Sequence, residues 1–306
     1  MIKEEFYFDS RDGENRIHAV RYTPDDGNVR GIVQIVHGMA EYVERYENLA
    51  EFLTKRGILV TGEDHLGHGK SVSEGGSFGY FCEQDPATVV VRDVHRLKKI
   101  TEEQYPQVPY IILGHSMGSF IARNYLCRYG SGIGGAVIVG TGMQPAGLIF
   151  ASKAMAGIQK LFCGSKHVSH FIDKAAFGGY NKRIDSPRTS SDWLSRNTEN
   201  VDRYIEDELC GFTFTVNGFQ TLFELIRRLQ KQENLEKVPQ NLPILMVSGA
   251  EDPVGDYGKG VHKACDSLKR AGVKNITVKL YENDRHELLN EDDAEEIGRA
   301  SCRERV

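Results

Sequence analysis

The fold of this chain is constrained most by seven short apolar runs, each of which ends in glycine or in turn residues. They read RIHAVRYTP, GIVQIVHGM, ILVTGEDHLGHG, YIILGHSMG, GAVIVGTGM, ILMVSGAEDP and ITVKLYENDRH. From the third run onward they are rich in β-branched residues and mostly lack strict alternation, which is typical of strands covered on both faces. Helical patterns separate the runs, so the sequence predicts an α/β protein built on a doubly wound, mostly parallel sheet.

The alternation of strands and helices is interrupted after Gly142, and the next convincing buried strand begins only at Ile244. A gap of this length is far longer than a normal loop. It contains helical patterns at 151–162 and 219–231 and the only tryptophan, Trp193, so we expect an inserted helical lid, with a second independent domain as the alternative. The predicted division is a first core portion at 1–142, the lid at 143–235 and a second core portion at 236–296.

Composition and charge exclude several classes of protein. Hydrophobic residues make up 40% and charged residues 26% of the chain, which is the usual mixture of a folded domain. The net charge of -5 argues against a nucleic-acid-binding protein, because phosphate binding needs a concentrated basic face. No apolar run approaches the roughly 20 residues of a membrane-spanning helix, and the first residues lack the apolar centre of a secretory signal, so we expect a cytoplasmic protein.

The six cysteines are scattered without a C-x-x-C pair. This spacing favours reduced thiols over a disulfide framework, and it does not predict a zinc site. No metal is therefore expected.

The stretch ILGHSMGSF places Ser116 between Gly114 and Gly118 at the point where an apolar strand changes into a helix. In a G-x-S-x-G elbow the small neighbours allow a sharp strand-to-helix turn, and the serine hydroxyl is exposed above the sheet as a nucleophile. The amino terminus of the following helix would direct the Met117 amide toward a developing oxyanion. The second oxyanion donor is expected in the loop after GIVQIV, at the Met39 amide.

An acid and a base follow later in the chain, at the ends of the last two apolar runs. Asp252 stands in SGAEDP and His286 in YENDRH. A serine hydroxyl needs an imidazole to remove its proton and a carboxylate to orient that imidazole. The order serine, aspartate, histidine is that of α/β hydrolases, so the sequence predicts a triad of Ser116, Asp252 and His286, with Asp256 as the alternative acid.

Four other histidines are given supporting roles. We expect His115 to pack beside the elbow and help shape it, and His37 to brace the oxyanion loop by hydrogen bonding. His65 and His68 have no partner at a metal-ligand spacing, so they are predicted to stabilise a loop. The sequence after them, Gly-Lys-Ser, imitates a phosphate-binding loop, but Asp64 stands where the first glycine is required and would repel a triphosphate.

The segments HGMAEYVERYENLAEFLTKRGILVTGEDHLGHGKS, LGHSMGS, SGAEDPVG and YENDRHELLNE closely resemble the monoacylglycerol lipase and lysophospholipase-like hydrolases, which are grouped with the serine aminopeptidases of the same fold. The resemblance implies an α/β-hydrolase fold with an inserted helical lid, the triad Ser116, Asp252 and His286, and oxyanion donors at Met39 and Met117. It also implies that the protein hydrolyses carboxylic esters without a cofactor, and the substrates that it favours are monoacylglycerols or lysophospholipids. Ser119 departs from the pattern, since many members have glycine there.

Several alternatives stay open at this level. A peptidase or a thioesterase would use the same triad, and a noncatalytic relative would keep only the fold. The lid is expected to supply an apolar groove for a small lipid or ester substrate and to make transient contact with a membrane surface. The groove residues proposed are Leu148, Ile149, Phe150, Met155, Leu161, Phe162, Phe171 and Phe177. For any one of these side chains, packing of the lid onto the core is the alternative. The oligomeric state is not predicted.

The last residues, IGRASCRERV, abandon the acidic helical pattern that begins at Asn290. They look like a translated sequencing adapter, so residues 297–306 are expected to be artefactual, with a genuine basic tail as the alternative.

Overall fold

The computed structural model describes residues 1–291, and a single eight-stranded sheet runs through this part of the chain. The tail suspected to be artefactual lies outside the described residues. The strands are β1 (Ile2–Asp9), β2 (Arg16–Thr23), β3 (Gly31–Val36), β4 (Ile58–Glu63), β5 (Tyr110–His115), β6 (Gly135–Val139), β7 (Ile244–Gly249) and β8 (Ile276–Tyr281).

The strand order in the sheet is β1-β2-β4-β3-β5-β6-β7-β8. The pairs β1–β2 and β2–β4 are antiparallel, and every pair from β4 to β8 is parallel. Strands β2 to β8 correspond to the seven apolar runs, so the predicted mostly parallel sheet is confirmed. Strand β1 was missed, because its residues, IKEEFYFD, are mainly exposed on an edge strand and therefore form no apolar run.

Helices connect the strands of this sheet. They are α1 (Glu47–Thr54), α2 (Pro86–Gln104), α3 (Met117–Tyr129), α4 (Ala146–Cys163), α5 (His170–Phe177), α6 (Thr198–Glu206), α7 (Val216–Leu229), α8 (Gln232–Leu235) and α9 (Lys259–Arg270). Pro86 begins α2, where a missing amide proton costs no intrahelical bond. Gly57, with a φ of 75°, follows α1 and allows the chain to turn into β4.

The central strands are buried on both faces. In β7, Ile244 and Met246 pack into the core on one side of the sheet, and Leu245 and Val247 pack into the core on the other. All residues of β3, β6 and β7 are buried. Two apolar layers cover the sheet, which is why these runs lack the polar and apolar alternation of a half-exposed strand.

The segment between β6 and β7 contains α4 to α8. Helix α4 packs on α7, and α7 in turn packs on α2 and α3 of the sheet layer. The helical character expected for this insertion is therefore observed, while its limits at 143 and 235 stay predictions. Within residues 1–291, no helix combines the length and the apolar content needed to cross a bilayer.

Candidate active site

The residues predicted to be functional lie at one edge of the sheet, beyond the carboxyl ends of β3, β5, β7 and β8. Met39 follows β3, Ser116 follows β5, Asp252 follows β7 and His286 follows β8. These strands run parallel and are neighbours or near neighbours in the sheet order, so their carboxyl ends meet at the same edge. In open α/β sheets this is where ligands bind.

Ser116 occupies the turn between β5 and α3 in a strained conformation. Its φ of 54° and ψ of -120° lie in a region that residues with a Cβ rarely adopt. The Ser116 amide donates to the carbonyl of Val139 at 3.0 Å, and the Ser116 carbonyl accepts from the amide and the hydroxyl of Ser119, at 2.9 Å and 2.5 Å. These bonds hold a conformation that costs of order 1–3 kcal/mol. Ser119 therefore takes part in the turn.

The glycines on either side of Ser116 are required by close packing. A Cβ on Gly118 would lie 1.9 Å from the carbonyl oxygen of Val36 and 2.4 Å from that of His37. A Cβ on Gly114 would lie 2.4 Å from the carbonyl oxygen of Gly118. Neither glycine has a positive φ, so the strained backbone is at the serine itself. Because both neighbours are glycines, α3 can approach β3 and β5 closely, and this close packing presents Ser116.

Asp252 and His286 contact each other at the ends of β7 and β8. Oδ1 of Asp252 lies 3.0 Å from Nδ1 of His286, and both side chains are almost fully buried. The ring is not aligned for a regular hydrogen bond at this distance. Asp256, the alternative acid, is exposed on the following turn.

The environment of Asp252 favours its charged form. Burial alone would raise the pKa of this carboxyl, but neighbouring His286 and two hydrogen bonds hold the pKa below its ordinary value. The bonds come from the Val254 amide at 2.8 Å and the Ser248 hydroxyl at 3.1 Å. A buried carboxylate held in this way can orient an imidazole and stabilise its protonated form.

The contacts of Gly140 and His115 indicate that Ser116 and His286 lie close together. Gly140 follows Val139, the acceptor of the Ser116 amide, and a Cβ on Gly140 would lie 3.0 Å from Cε1 of His286. The ring of His115, the residue before Ser116, is centred 4.9 Å from that of His286. Nε2 of His286 makes no hydrogen bond to another residue of the described chain. This nitrogen is available to receive a proton.

The loop after β3 passes directly over the serine. A Cβ on Gly38 would lie 3.1 Å from Cβ of Ser116, and the Gly38 amide donates to Oε1 of Glu41 at 2.5 Å. Glycine is therefore needed here for a close approach, and the Glu41 carboxylate fixes the direction of the loop.

The two amides predicted to bind an oxyanion belong to this loop and to the start of α3. Neither the Met39 amide nor the Met117 amide donates to another residue within 1–291. The Met117 amide lies at a helix amino terminus, where the partial positive charge of the helix dipole is concentrated. After Met39, Ala40 has a φ of 52°, and its carbonyl accepts from the Gly211 amide of the insertion at 3.0 Å. A hydrogen bond from the insertion between β6 and β7 therefore also holds this loop.

A buried pair of charged groups lies behind the elbow. Nδ1 of His115 is 3.1 Å from Oε1 of Glu41, and the Tyr46 hydroxyl donates to the same carboxylate oxygen at 2.8 Å. Burial would lower the pKa of His115, but the Glu41 carboxylate outweighs burial and raises it. Nε2 of His115 lies 3.3 Å from the backbone carbonyl of His286. His115 therefore links the loop after β3, the elbow and the loop that carries His286.

Arg45 extends this network to the residue after His286. It donates to Glu41 at 2.8 Å and to both oxygens of Glu287 at 2.8 Å and 2.9 Å, and Nδ2 of Asn200 donates to Glu287 at 2.7 Å. Burial would raise the pKa of Glu287, but Arg45 holds it below its ordinary value. Sequence reasoning missed these residues. The only local signal was the four-residue spacing of Glu41 and Arg45, which suits an ion pair.

His37, His65 and His68 form a buried cluster next to the loop after β3. Nε2 of His37 accepts from the His65 amide at 3.0 Å, and the His37 and His65 rings stack with centroids 4.1 Å apart. Nδ1 of His68 lies 3.0 Å from the carbonyl of Leu66. Burial lowers the pKa of all three imidazoles, that of His68 to about 3. Neutral rings in these contacts brace the backbone on which Met39 lies.

The backbone at the Gly-Lys-Ser sequence binds a side chain of the protein, the carboxylate of Asp64. The Lys70 amide donates to Oδ2 of Asp64 at 2.9 Å, and the Val43 amide donates to Oδ1 at 2.9 Å. A Cβ on Gly69 would lie 2.3 Å from the Asp64 carboxylate. A buried carboxylate thus fills the place that a phosphate would take in a phosphate-binding loop.

Glu5, His18 and Glu44 are the described residues outside this edge that bring three potential metal-ligand atoms together, within 4.8 Å of one another. Lys70 lies between the two glutamates, 2.7 Å from Glu5 and 2.9 Å from Glu44. The lysine ammonium already balances these carboxylates, so the arrangement is that of a surface ion-pair network.

Comparison with known proteins agrees with the fold. The family described as serine aminopeptidase, S33, matches residues 27–293. A monoglyceride lipase of Rattus norvegicus is 29% identical over 273 residues, which cover 89% of this chain and 80% of that protein. A monoacylglycerol lipase of Mycolicibacterium smegmatis is 28% identical over 271 residues, covering 88% of this chain and 85% of that protein.

Among solved structures, a thermostable carboxyl esterase from Bacillus coagulans superimposes with a TM-score of 0.90, with 31% sequence identity and full coverage of both chains. Its match extends over the sheet and the inserted helices alike. A family match over most of the chain and an esterase of the same architecture lead to one conclusion. This chain belongs to the serine aminopeptidase S33 family of α/β hydrolases, and it is a carboxylic ester hydrolase.

Proposed function

We propose that this enzyme cleaves the acyl ester of a monoacylglycerol or a lysophospholipid, with Ser116 as nucleophile, His286 as general base and acid, and Asp252 as the orienting carboxylate. The observation that carries the proposal is the 3.0 Å approach of Asp252 to His286 at the sheet edge where the strained Ser116 lies. The names of the relatives, which are lipases of monoacylglycerols, support the choice of substrate.

The first half of the reaction forms an acyl-enzyme. Oγ of Ser116 attacks the carbonyl carbon of the ester while its proton passes to Nε2 of His286. Asp252, whose pKa is held low, stabilises the imidazolium that results. The amides of Met39 and Met117 donate hydrogen bonds to the carbonyl oxygen as it becomes negatively charged, and the loss of one such donor typically costs about 10²–10³ in kcat.

The second half releases the acid. The imidazolium returns its proton to the oxygen of the leaving alcohol as the carbon–oxygen bond breaks. Water then attacks the acyl-enzyme with His286 again accepting a proton, and the carboxylic acid departs when that proton returns to Oγ of Ser116. These steps need no electron transfer and no bound cofactor.

The lid residues proposed for the acyl groove fall into two groups. Ile149 is 3% exposed, and Met155 and Phe177 are packed against the core, so they support the lid from inside. The remaining five are exposed and lie on α4 and α5. They are Leu148, Phe150, Leu161, Phe162 and Phe171. We call these five the lid patch. Exposed apolar side chains at this concentration favour contact with lipid, so we extend the proposal to transient contact of the lid patch with a membrane or micelle surface.

The test uses Ser116→Ala with a soluble p-nitrophenyl ester. We expect turnover to fall at least about 10³-fold, because loss of the nucleophile leaves only oxyanion binding and orientation. The fold should be retained, which circular dichroism and thermal unfolding would check. A fluorophosphonate probe should label the unaltered enzyme at Ser116 and leave the variant unlabelled. Undiminished turnover by Ser116→Ala would refute the proposed mechanism.

The family description also names aminopeptidases, so substrate class needs a separate test. A panel of monoacylglycerols, lysophospholipids, aminoacyl amides and acyl thioesters should be compared by kcat/KM. We expect the acylglycerol or lysophospholipid to lead. A higher value for an aminoacyl amide or a thioester would assign the same triad to a peptidase or a thioesterase, and no turnover of any class would favour a noncatalytic relative.

A further inference from the structure

The indole of Trp193 lies against the imidazole of His286. The two ring centroids are 5.1 Å apart, with an angle of 41° between the ring planes. Trp193 is the only tryptophan of the chain, and it is partly buried. It belongs to the insertion between β6 and β7, so a part of the lid forms one wall around the proposed base.

The segment that carries Trp193 is joined to the histidine loop, which we define as residues 284–291. Nη1 of Arg285 donates to the carbonyls of Asp192 and Ser195, at 2.7 Å and 3.0 Å. The Glu287 amide donates to the carbonyl of Leu194 at 2.7 Å. These three bonds attach to the backbone on both sides of Trp193. They determine where the indole lies relative to the imidazole between Arg285 and Glu287.

Buried carboxylates complete the attachment. Glu291 accepts from the Ser195 hydroxyl at 2.9 Å and from the Arg196 amide at 3.0 Å, and it also accepts from the Arg285 amide within its own loop at 3.0 Å. Arg196 lies 3.3 Å from Asp284. One carboxylate thus binds the lid segment and the histidine loop together, so a displacement of either would leave its buried oxygens unpaired, which is costly.

The contacts of Trp193 lead back into the lid. Its ring packs edge-on against Tyr180 with centroids 4.9 Å apart, and Tyr180 packs against Phe177 at 5.4 Å. Phe177 ends α5, which carries part of the exposed lid surface. A continuous series of aromatic contacts therefore runs from this lid helix to the imidazole.

The imidazole is almost fully buried, and the described side-chain rings that contact it are those of His115 and Trp193. Gly140 offers no side chain, and His115 is tilted by 42° at a centroid distance of 4.9 Å. Rotation of the ring about its Cβ–Cγ bond would move Nδ1 away from Asp252. The bulkiest described side chain in ring contact with this imidazole is the indole.

We propose that Trp193 is a positioning residue for His286: its indole keeps the imidazole in the orientation that faces Asp252, and the lid segment that holds the indole makes this orientation depend on the position of the lid. The inference rests on the role of His286 as the base proposed above. It adds that the lid acts on the catalytic step as well as on substrate binding.

The test compares Trp193→Leu with the conservative Trp193→Phe on a short soluble ester, whose binding needs no apolar groove. We expect kcat of the leucine variant to fall about 10-fold to 10²-fold, the cost of a small misplacement of a reacting group, with KM changed less than about twofold. The phenylalanine variant should recover most of the loss, because a flat ring remains. Phe52→Leu on α1 is the matched control, and its kinetics should be unchanged.

The pH profile of kcat/KM separates positioning from a loss of stability. Asp252 and His115 contact the imidazole, and Tyr180 contacts the indole. The charged groups of the two joined segments are Asp284 with Arg196, Arg285 and Glu291, and Glu287 with Arg45. None of them is altered in Trp193→Leu, so a shifted acidic limb would report a changed contact between Asp252 and His286. Activity that falls only in parallel with the folded fraction, with an unshifted limb, would reduce Trp193 to a packing residue and overturn the inference.

A selective rise of KM for long-chain esters with kcat unchanged would also overturn it, since Trp193 would then line the acyl groove. The variants Ser116→Ala and His286→Ala separate failure of this inference from failure of the proposed function. If either retains turnover, the triad assignment is wrong. If both are inactive while Trp193→Leu behaves as the unaltered enzyme, the triad stands and only the positioning role is lost.

The tryptophan supplies a second measurement that does not depend on turnover. A protonated imidazole in contact with an indole quenches its fluorescence, so emission of the Ser116→Ala enzyme should fall on acidification. His286→Gln should remove this step in the titration. An identical titration in both proteins would show that the indole does not sense the imidazole, which contradicts the inference.

Discussion

Asp252 and His286 extend from the neighbouring strands β7 and β8, and Oδ1 of the first lies 3.0 Å from Nδ1 of the second. Both side chains are removed from solvent, and the carboxyl has a pKa below its ordinary value even though burial would raise it. The charged carboxylate accepts hydrogen bonds from Ser248 and Val254 and also faces the imidazole. The other imidazole nitrogen makes no hydrogen bond within residues 1–291.

Asp252→Asn should lower kcat about 10⁴-fold while the protein remains folded. An amide of the same shape keeps the packing, but it cannot stabilise an imidazolium and favours the wrong tautomer. Single-turnover kinetics with a p-nitrophenyl ester would measure the effect. Asp256→Asn is the matched control and should be nearly silent, because Asp256 is exposed. The reverse pattern would transfer the acid role to Asp256.

Gly118→Ala should strongly destabilise the elbow. The added methyl group would lie 1.9 Å from the Val36 carbonyl oxygen, so α3 would have to move away from β3. We expect a loss of about 1–3 kcal/mol or more in the free energy of unfolding, and a loss of activity in any protein that folds. Urea titration measures the first quantity.

Gly147→Ala provides the control for the same chemical change within a helix. No atom lies within 4 Å of the Cβ position in α4, so the substitution should be neutral or stabilise by up to about 1 kcal/mol. If both alanine variants proved equally stable, close packing would not be the reason for glycine at position 118.

Arg45→Met should destabilise the protein by about 3–5 kcal/mol, because it leaves the carboxylates of Glu41 and Glu287 buried without their cation. The Arg45 side chain is 10% exposed and those of Glu41 and Glu287 are 4% and 3% exposed, so water can replace little of the lost interaction. Chemical denaturation gives the measurement.

The exposed pair of Lys55 and Glu51 supplies the control for this ion pair. Their atoms approach to 2.7 Å, but the side chains are 67% and 54% exposed. Lys55→Met should therefore change the free energy of unfolding by less than about 1 kcal/mol. Similar losses in both variants would mean that burial does not set the strength of the Arg45 network.

Stability should fall as pH rises toward neutrality because of Asp93. Burial raises the pKa of this carboxyl to about 7, against about 3.9 in an unfolded chain. Between these values the folded protein binds a proton that the unfolded chain has lost, so the contribution to stability is complete below about pH 4 and is lost as pH passes through about 7. The slope should be on the order of 1 kcal/mol per pH unit.

Asp93→Asn should reduce this slope when unfolding is measured by urea from about pH 5 to about pH 8. The asparagine can still accept from the Arg11 amide, which bonds Asp93 at 2.6 Å. Buried Glu63, whose pKa is also raised by burial, should leave a residual slope. An unchanged slope in the variant would show that Asp93 is ionised in the folded protein at these pH values.

Leu161→Ser and Phe162→Ser together should lower hydrolysis of an emulsified long-chain monoacylglycerol by about tenfold or more. These side chains are 84% and 85% exposed, and burial of each in lipid is worth about 1.5–3 kcal/mol at most. Turnover of a soluble short ester should remain within about twofold. Tyr7→Ser, at another exposed aromatic residue, is the control. Equal effects on both substrates would argue against contact of the lid patch with lipid.

Much of the sheet could be predicted from the sequence because buried apolar side chains, on both faces in the central strands, leave a local record. Strands β2 to β8 each appear as an apolar run, and the G-x-S-x-G sequence stands where β5 ends and α3 begins. Strand β1 left no such record, since its charged residues lie on an exposed edge. Sequence also named Ser116, Asp252 and His286 as candidates, because parallel strands deliver their carboxyl ends to one edge.

The contacts that surround those candidates were decided by the tertiary structure alone. Glu41, Arg45 and Glu287 form one buried network although Glu287 is far away in the chain, and Trp193 reaches His286 from within the insertion. Residue type and spacing determine which strands and turns form, because those depend on neighbours along the chain. Which charged and aromatic side chains meet depends on how distant segments pack, and no local pattern contains that information.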